Sequence, residues 1–188
     1  MSSTEITHLT TAELEAGLDH VAASPHDNGT LELIVQRPEE DGRVVLEVAE
    51  LNREEGLAGD NWNQRGSSRT ADGGPHPDMQ LNLMNSRICE MVAGSRDRMP
   101  LAGDQLIVDL DLRERNMAPW TKLRIGTAVI EITDQPHRGC GKFARRFGLD
   151  AHRFVNSDLG TEMHLRGLNA RVVTPGTIRQ GDTITKID

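Results

Sequence analysis

The chain has 188 residues, 36% of them hydrophobic and only 3% aromatic, and its 29 acidic against 21 basic residues give a net charge of −8. This acidic balance and the absence of tyrosine exclude a general nucleic-acid coat, which needs a basic surface and aromatic rings on which bases stack. Because the sequence has only two cysteines, no basic and apolar leader at residues 1–7 and no apolar run of roughly 20 residues, we expect a cytoplasmic protein without a disulfide framework or a membrane span.

The first pattern along the chain is helical. Thr10 and Glu13 have the spacing of a capping box, and the apolar residues that follow them are spaced as on one helix face, which predicts an amphipathic helix over 11–22. After a turn-rich stretch, apolar and polar residues alternate at 31–35 and 44–48. These runs predict two strands joined by a tight connection.

A long glycine-rich segment follows at 52–78 and contains few apolar residues. Segments of this length without regular structure are usually functional loops or disordered, so this one is either the rim or lid of a site or a flexible solvated loop. Alternation returns at 79–84, and Asn85 then has the position of an N-cap for a short helix that ends at Gly94.

The remaining predicted elements are mainly strands, with proline or glycine between most of them. Their predicted ranges are 105–110, 128–133, 169–173 and 183–187. Because predicted strands outnumber predicted helices, the fold class is mainly β, a closed β-barrel with a few short helices. We place an N-terminal helical extension at 1–29 and the barrel domain at 30–188.

The residues that point to chemistry concentrate in the segment 135–149, which surrounds Cys140 and contains no carboxylate. Neighbouring cations, and a helix beginning directly after the cysteine, favour the thiolate over the thiol, so Cys140 is a candidate nucleophile or soft metal ligand. Gly139 and Gly141 allow backbone amides to approach an anion, and His137 can act as a base or orient the loop. The basic residues of the segment, which can bind an anionic ligand, are Arg138, Lys142, Arg145 and Arg146.

Other interpretations of the same residues stay open. A cysteine is often simply buried, and this is the interpretation we prefer for Cys89, which lies among apolar residues of the predicted helix. Cys140 and Arg146 also have the Cys-x₅-Arg spacing of phosphatases that attack phosphate with a thiolate. That match is weak because Phe143 lies inside the expected phosphate loop and Phe147 replaces the usual hydroxyl residue.

The stretch 123–142, with its Gln-Pro-x-x-x-Cys ending at Cys140, resembles the centre of the MOSC domain. This module is found at the C terminus of molybdenum cofactor sulfurases and in standalone bacterial proteins. Further segments resemble other motifs of the family in the family's order, so that the resemblance covers roughly residues 30–187. These segments are 56–60, 73–75, 115–118, 169–176 and 181–182. Asp72, Arg115 and Ala118 depart from the motifs, so contacts of those side chains are not carried over.

The resemblance implies a closed barrel in which Cys140 ligates the metal of the molybdenum cofactor, molybdopterin, or carries sulfur. It implies reduction of N-hydroxylated compounds or handling of cofactor sulfur, so both a molybdenum-dependent oxidoreductase and a sulfur-transfer protein fit it. The resemblance and the basic segment around Cys140 together suggest a set of cofactor-binding residues. They are Arg138, Gly139, Gly141, Lys142, Arg145, Arg146, Asn116, Asp60 and Arg171.

Expected partners are a small-molecule cofactor or anionic ligand and a redox or sulfur-donor protein, with neither nucleic acid nor a membrane. Two alternatives remain: a persulfide carrier without metal, and a non-catalytic module that binds phosphate-bearing ligands. Pyridoxal phosphate has little support, because few lysines are present to form its imine. They are Lys122, Lys142 and Lys186.

Overall fold

The structure is a computed structural model that describes residues 7–188, so the expectation about a leader at residues 1–7 lies almost entirely outside the described residues. The described part contains eleven strands, which are β1 (Gly29–Gln36), β2 (Val44–Leu46), β3 (Val48–Asn52), β4 (Gly56–Leu57), β5 (Leu81–Asn85), β6 (Leu106–Asp109), β7 (Lys122–Ile125), β8 (Ala128–Ile132), β9 (Leu168–Thr174), β10 (Gly176–Arg179) and β11 (Thr183–Ile187).

Seven of these strands close into a barrel in the order β11, β7, β8, β9, β5, β6 and β1, and the pairing of β1 with β11 completes the circle. Neighbours are antiparallel except for β5 and β6, which are parallel. Strand β2 extends β1 outside the circle, and β10, β3 and β4 form a separate small sheet. The predicted mainly β barrel is confirmed.

Six short α-helices and three 3-10 segments, at Trp62–Gln64, Pro77–Met79 and Arg96–Ala102, accompany the strands. None of the helices in the described range is long and apolar enough to cross a membrane. The α-helices are α1 (Thr11–Ala16), α2 (Leu18–Ala22), α3 (Ser86–Ala93), α4 (Gly141–Phe147), α5 (Leu149–Val155) and α6 (Asp158–Glu162).

The predicted helix over 11–22 is in fact two helices. The capping box forms as expected, because Thr10 accepts from the N–H of Glu13 while the Glu13 carboxylate accepts from the N–H of Thr10. The break lies at Gly17, whose backbone packs so close to Met91 that a Cβ there would come within 2.1 Å of the methionine methyl group. The residue at the break is thus one whose lack of a side chain leaves room for Met91.

Two apolar cores lie on opposite sides of the barrel wall. The first draws residues from all seven barrel strands and fills the barrel, and the second lies between the wall and the helices. Strand β1 contributes to both: Leu31 and Ile34 face the first core, and Leu33 and Val35 face the second. A register shift between Leu31 and Leu33 explains why the inward residues are three positions apart.

The other differences from the predicted elements concern short or bent segments. The predicted strand over 44–48 divides at Glu47 into β2 and β3, which belong to different sheets. Strands β4, β7 and β10, of two to four residues each, and helices α5 and α6 are additional elements. Patterns this short carry little periodicity, so their pairing in the fold determines them.

The second core fixes the position of the segment that follows β8. The chain leaves the barrel after Ile132 and reaches Cys140, which precedes the first residue of α4. Phe143 and Phe147 of α4 are buried and pack edge to face with ring centroids 4.9 Å apart. The scarce aromatic residues therefore anchor the helix that begins at the cysteine.

We predict that Asn85→Ala destabilises the protein by about 2 to 4 kcal/mol, measured by chemical denaturation. The buried Asn85 side chain accepts from the N–H groups of Arg87 and Ile88 and donates to Ser24 Oγ and the carbonyl of Leu110, so its loss removes a cap and leaves buried partners unsatisfied. Ser157→Ala removes the cap of α6 and one hydrogen bond to the carbonyl of Phe154, which still accepts from the N–H of Ser157, and it is the control, expected to cost about 1 kcal/mol. Equal losses in the two variants would contradict the prediction.

Candidate functional site

The exposed thiol of Cys140 lies at the start of α4, at the end of a segment that α5 holds in place. Gly139 donates its N–H to Asn156 Oδ1 at 2.9 Å, and its carbonyl accepts from His152 Nε2 and Asn156 Nδ2, each at 3.0 Å. A Cβ on Gly139 would lie 3.0 Å from Asn156 Nδ2. Glycine at this position therefore lets α5 bind the backbone directly beside the cysteine.

The surroundings of Cys140 favour its ionised form. Partial burial of the sulfur works against ionisation, but the backbone amides of Phe143 and Lys142 and the positive charge of Arg166 outweigh it, so the pKa of the Cys140 thiol is lowered. The two amides belong to the first turn of α4, the helix that the sequence predicts directly after the cysteine. The charge comes from Arg166, which lies far from Cys140 in the sequence.

Cys140 opens into a cavity of about 290 Å³, which we call the arginine cavity. Trp62, His76, Asn82, His137 and Phe143 contribute to its walls. Basic side chains from several separate segments also line it. They are Arg37, Arg43, Arg65, Arg138, Lys142, Arg146 and Arg166.

Two of these cations form buried ion pairs beneath the cavity. Arg37 donates from Nε and Nη2 to the two oxygens of Asp60, at 2.9 and 2.8 Å. Arg166 donates from Nη1 to both oxygens of Asp104, at 2.8 and 2.7 Å. Both carboxylates are fully buried, so the charges of these two arginines are compensated within the protein.

Carboxylates in the connection between β1 and β2 compensate the charges of two more basic residues of the cavity. Lys142 pairs with Glu40 and Asp41, and Arg146 pairs with Asp41. The basic segment 135–149 has no carboxylate of its own, yet the fold brings two carboxylates to it from about 100 positions earlier. Its positive charge is thus smaller than the sequence predicts.

Three arginines of the cavity, Arg43, Arg65 and Arg138, make no salt bridge with any residue in the range 7–188. Burial lowers the pKa of Arg43 and of Arg65, and the charges of Arg146 and Arg37 respectively lower it further. The Nε of Arg43 is buried without a hydrogen-bond partner. An anion bound here would relieve this repulsion.

His137 lies at the edge of the cavity and is held by Asp104, with Nε2 2.9 Å from the carboxylate. The pKa of Asp104 is lowered, because Arg166 and His137 together outweigh its burial. Burial and the charge of Arg166 lower the pKa of His137. A neutral imidazole that donates from Nε2 leaves Nδ1 as an acceptor, so His137 is a candidate proton-accepting group.

The predicted site residues lie in different places relative to the arginine cavity. Arg138, Lys142 and Arg146 line the cavity with Cys140, and Gly139 and Gly141 flank the cysteine. Arg145 is exposed outside the cavity wall, and Asp60 lies beneath the wall and acts through Arg37.

Asn116 and Arg171 are not brought to Cys140. Asn116 donates to the carbonyls of His26 and Asp111 and accepts from Lys186. Arg171 pairs with Glu131 and Asp78 on another part of the barrel. Their side chains are engaged in contacts that hold loops and strands.

Cys89 is fully buried, as we expect from its apolar neighbours, and burial raises the pKa of its thiol. Sequence reasoning missed Arg37, Arg43, Arg65 and Asp104 as members or supports of the site. The one available signal was Arg65, a basic residue inside the glycine-rich segment 52–78, for which a rim is one of two interpretations. Trp62, from the same segment, does line the cavity.

We predict that Cys140 is alkylated by iodoacetamide with a rate that reaches half its maximum below pH 8.5, the approximate pKa of an unperturbed thiol. A lowered pKa means that the reactive thiolate is present at lower pH. Rates are followed by mass spectrometry, with the denatured protein as the control in which both cysteines react alike. A midpoint at or above that of the denatured chain, or native Cys89 reacting as fast, would contradict the prediction.

We predict that Asp104→Asn costs about 3 to 5 kcal/mol of stability in urea denaturation, because it leaves the charge of Arg166 buried without a partner. Asp78→Asn is the matched control, with an expected loss of about 0 to 1 kcal/mol. Arg171, which pairs with Asp78, is partly exposed and still pairs with Glu131 when the charge of Asp78 is removed. A loss for Asp104→Asn as small as that of the control would refute the role given to this pair.

Comparison with known proteins places the chain in a family. Residues 76–185 match the family model of the MOSC domain. No curated protein sequence matches the chain. Among solved structures, the fold is similar to that of the YUAD protein from Bacillus subtilis, with a TM-score of 0.60 and 14% identity over 83% of this chain and 93% of that chain.

Two further similar structures are YiiM from Escherichia coli and YiiM from Geobacillus stearothermophilus. The first has a TM-score of 0.56 and 19% identity over 85% of this chain and 70% of that chain. The second has a TM-score of 0.53 and 15% identity over 88% and 75%. Identities this low show only that the folds are similar. The family model, in contrast, matches more than half of the sequence, and we conclude that the chain belongs to the MOSC domain family.

Proposed function

We propose that this protein binds the molybdenum cofactor, molybdopterin, in the arginine cavity, with the thiolate of Cys140 as a ligand of the metal. The observation that carries the proposal is an exposed thiol of lowered pKa that opens into a cavity lined by basic side chains. A cofactor that combines a soft metal with an anionic phosphate matches both features.

Cys140 supplies one ligand, which suits a metal whose other ligands come from its cofactor. A thiolate is a soft ligand, suited to metals of this kind. Within residues 7–188, no three His, Cys, Asp or Glu side chains come together as a metal site. A metal at Cys140 therefore needs ligands from the cofactor itself, as the pterin of this cofactor provides. When bound, the cofactor supplies redox and group-transfer chemistry at its metal.

The charges fit the phosphate. Arg43, Arg65 and Arg138 have no carboxylate partner in the described chain, and the buried Nε of Arg43 has no acceptor. The volume of about 290 Å³ is near the lower end of the range for ligand pockets, roughly 300 to 1,000 Å³. We assign phosphate binding to these three arginines.

The other residues of the site position the thiolate and accept protons. The amides of Lys142 and Phe143 hold the negative charge of the sulfur, and Gly139, bound by His152 and Asn156, fixes the segment from which the cysteine projects. Nδ1 of His137 is available to take a proton from a group bound in the cavity.

We extend the proposal to the reaction class and its setting. Reduction of N-hydroxylated compounds or transfer of cofactor sulfur would use the same cysteine, with a redox or sulfur-donor protein as partner. Both cysteines are free, as is usual in a reducing compartment, which supports a cytoplasmic location.

One alternative is favoured by a separate observation. The unpaired arginines can bind a phosphate-bearing ligand without any contribution from Cys140, as a non-catalytic binding module would require. The persulfide carrier relies instead on the exposed thiolate alone.

We predict that protein produced in a host that makes the cofactor contains molybdenum, and that Cys140→Ala lowers the content at least about tenfold, because the metal loses its protein ligand. Elemental analysis is the measurement, and Cys89→Ala is the control that removes a thiol outside the cavity. Equal molybdenum in wild type and Cys140→Ala, or none in either, contradicts ligation by Cys140.

Arginine variants and mass spectrometry separate the alternatives. Arg65→Ala should lower molybdenum content, and Arg145→Ala, which removes the same charge outside the cavity wall, should not. A labile gain of about 32 Da on Cys140 after exposure to a cysteine desulfurase, without molybdenum, supports the persulfide carrier. Stabilisation by phosphate that persists in Cys140→Ser without molybdenum supports the binding module.

A further inference from the structure

The arginine cavity holds a free thiol and uncompensated positive charge side by side. Cys140 is exposed and lines the cavity together with Arg43, Arg65 and Arg138. These three arginines form no salt bridge in the part of the chain that the structure describes. The other cysteine, Cys89, is fully buried in the second core, so a reagent in solution reaches only the thiol of Cys140 in the native protein.

Arg65 and Cys140 lie within electrostatic reach of each other. Burial and the charge of Arg37 lower the pKa of Arg65. The negative charges of Asp60 and Cys140 act on Arg65 in the opposite direction. Arg138 precedes the cysteine by two positions in the same segment. A negatively charged group that is attached to the sulfur therefore comes close to unpaired cations.

Carboxylates already bind to other cations of this cavity. Glu40 pairs with Lys142, and Asp41 pairs with Arg146. These two acidic side chains are 79% and 58% exposed, so their carboxylates meet the cations from the solvent side. A dissolved molecule that carries a carboxylate can approach the three unpaired arginines in the same manner, with the forked hydrogen bonds that a guanidinium group offers.

The net charge of the protein makes a preference for anions diagnostic. At −8, the chain as a whole repels an anionic reagent and attracts a cationic one. A surface cysteine without neighbouring cations would therefore react faster with the cationic reagent. The opposite preference at Cys140 reports the local charge of the arginine cavity.

We propose that Cys140 is a site of reversible S-thiolation, selective for disulfides of small thiols that carry a carboxylate, which Arg43, Arg65 and Arg138 bind. The ionised sulfur of Cys140 attacks one sulfur of the disulfide, so that a new sulfur–sulfur bond forms as the original one breaks. The other half leaves as a thiolate and takes a proton from water. Cys140 is oxidised, the released half is reduced, and an excess of free thiol reverses the step.

The step itself needs no cofactor, but its regulatory consequence rests on the proposed function. The thiolate is the form of cysteine that ligates a metal, so a thiolated Cys140 cannot hold the metal of the cofactor. The modification also differs from a persulfide, because the added group is an organic thiol that comes from its own disulfide.

Three disulfides of similar shape test the selectivity. They are dithiodipropionate, hydroxyethyl disulfide and cystamine, which end in a carboxylate, a hydroxyl and an ammonium group. The full chain from a host without the cofactor is used, and mass spectrometry of the intact protein follows adduct formation. Each rate is divided by the rate of the same disulfide with mercaptoethanol, which removes differences in intrinsic reactivity. The ionisation of Cys140 is common to all three reactions and cancels from their comparison.

We expect the normalised rate for dithiodipropionate to exceed that for cystamine at least about tenfold at low salt, because unpaired guanidinium groups attract the carboxylate and repel the ammonium group. At about 1 M salt the two normalised rates should converge, because charges on the surface are then screened.

Matched variants test the part played by the arginines. Arg65→Ala should lower the ratio of the dithiodipropionate rate to the hydroxyethyl disulfide rate at least about threefold, and Arg65→Lys, which keeps the charge, should retain most of it. Arg124→Ala is the control, because Arg124 is an exposed residue of β7 that lies outside the arginine cavity. It should leave the ratio unchanged.

Several results would overturn the proposal. They are a normalised rate for cystamine equal to or above that for dithiodipropionate, equal effects of Arg65→Ala and Arg124→Ala on the ratio, an adduct on Cys89 in peptide mapping, and no adduct on Cys140. Circular dichroism shows whether each variant is folded, and if Arg65→Ala is not, the wild-type rates decide. Absence of molybdenum in protein from a host that makes the cofactor contradicts only the cofactor proposal, since none of these rates depends on the metal.

Discussion

The buried carboxylate of Asp104 is the constraint on which the rest of the site depends. It pairs with Arg166 and accepts from His137, and the guanidinium of Arg166 also lies over the ring of Phe143, 5.0 Å from its centroid. Phe143 belongs to the helix that begins after Cys140. One charge in the interior thus connects the barrel, the segment before Cys140 and the helix that lowers the pKa of the thiol. Such a charge is costly to bury unless its partners are in place, so the arrangement depends on Arg166 and His137.

Much of the fold and the centre of the site follow from local patterns. The capping box at Thr10, the cap at Asn85 and most barrel strands have residue spacings that specify them independently of the fold. The basic residues around Cys140 are neighbours in the chain, so their proximity needs no knowledge of topology. Local chemistry of this kind is what a single sequence reveals well.

The rest of the site depends on long-range contacts that no spacing encodes. Asp104 and Arg166 are 62 positions apart, and Arg146 and Asp41 are 105 apart. Their association follows from strand order, in particular the parallel pairing of β5 with β6 and the closure of β1 on β11. Asn116 and Arg171 were assigned to the site from motifs alone. Their side chains do not line the arginine cavity, and they bind instead to the carbonyl of Asp111 and to Glu131, respectively.

The carboxylates that Glu40 and Asp41 present to Lys142 and Arg146 have a consequence for how the arginine cavity discriminates between anions. An anion that binds to Lys142 or Arg146 has to displace a carboxylate of Glu40 or Asp41. The free energy gained is then only the difference between two similar ion pairs. Arg43, Arg65 and Arg138 form no salt bridge in the described chain, so no carboxylate has to be displaced from them, although Arg43 lies beside Arg146 and feels the charge of Asp41. A ligand with its negative charge at one end would therefore gain most by placing that end against these three arginines.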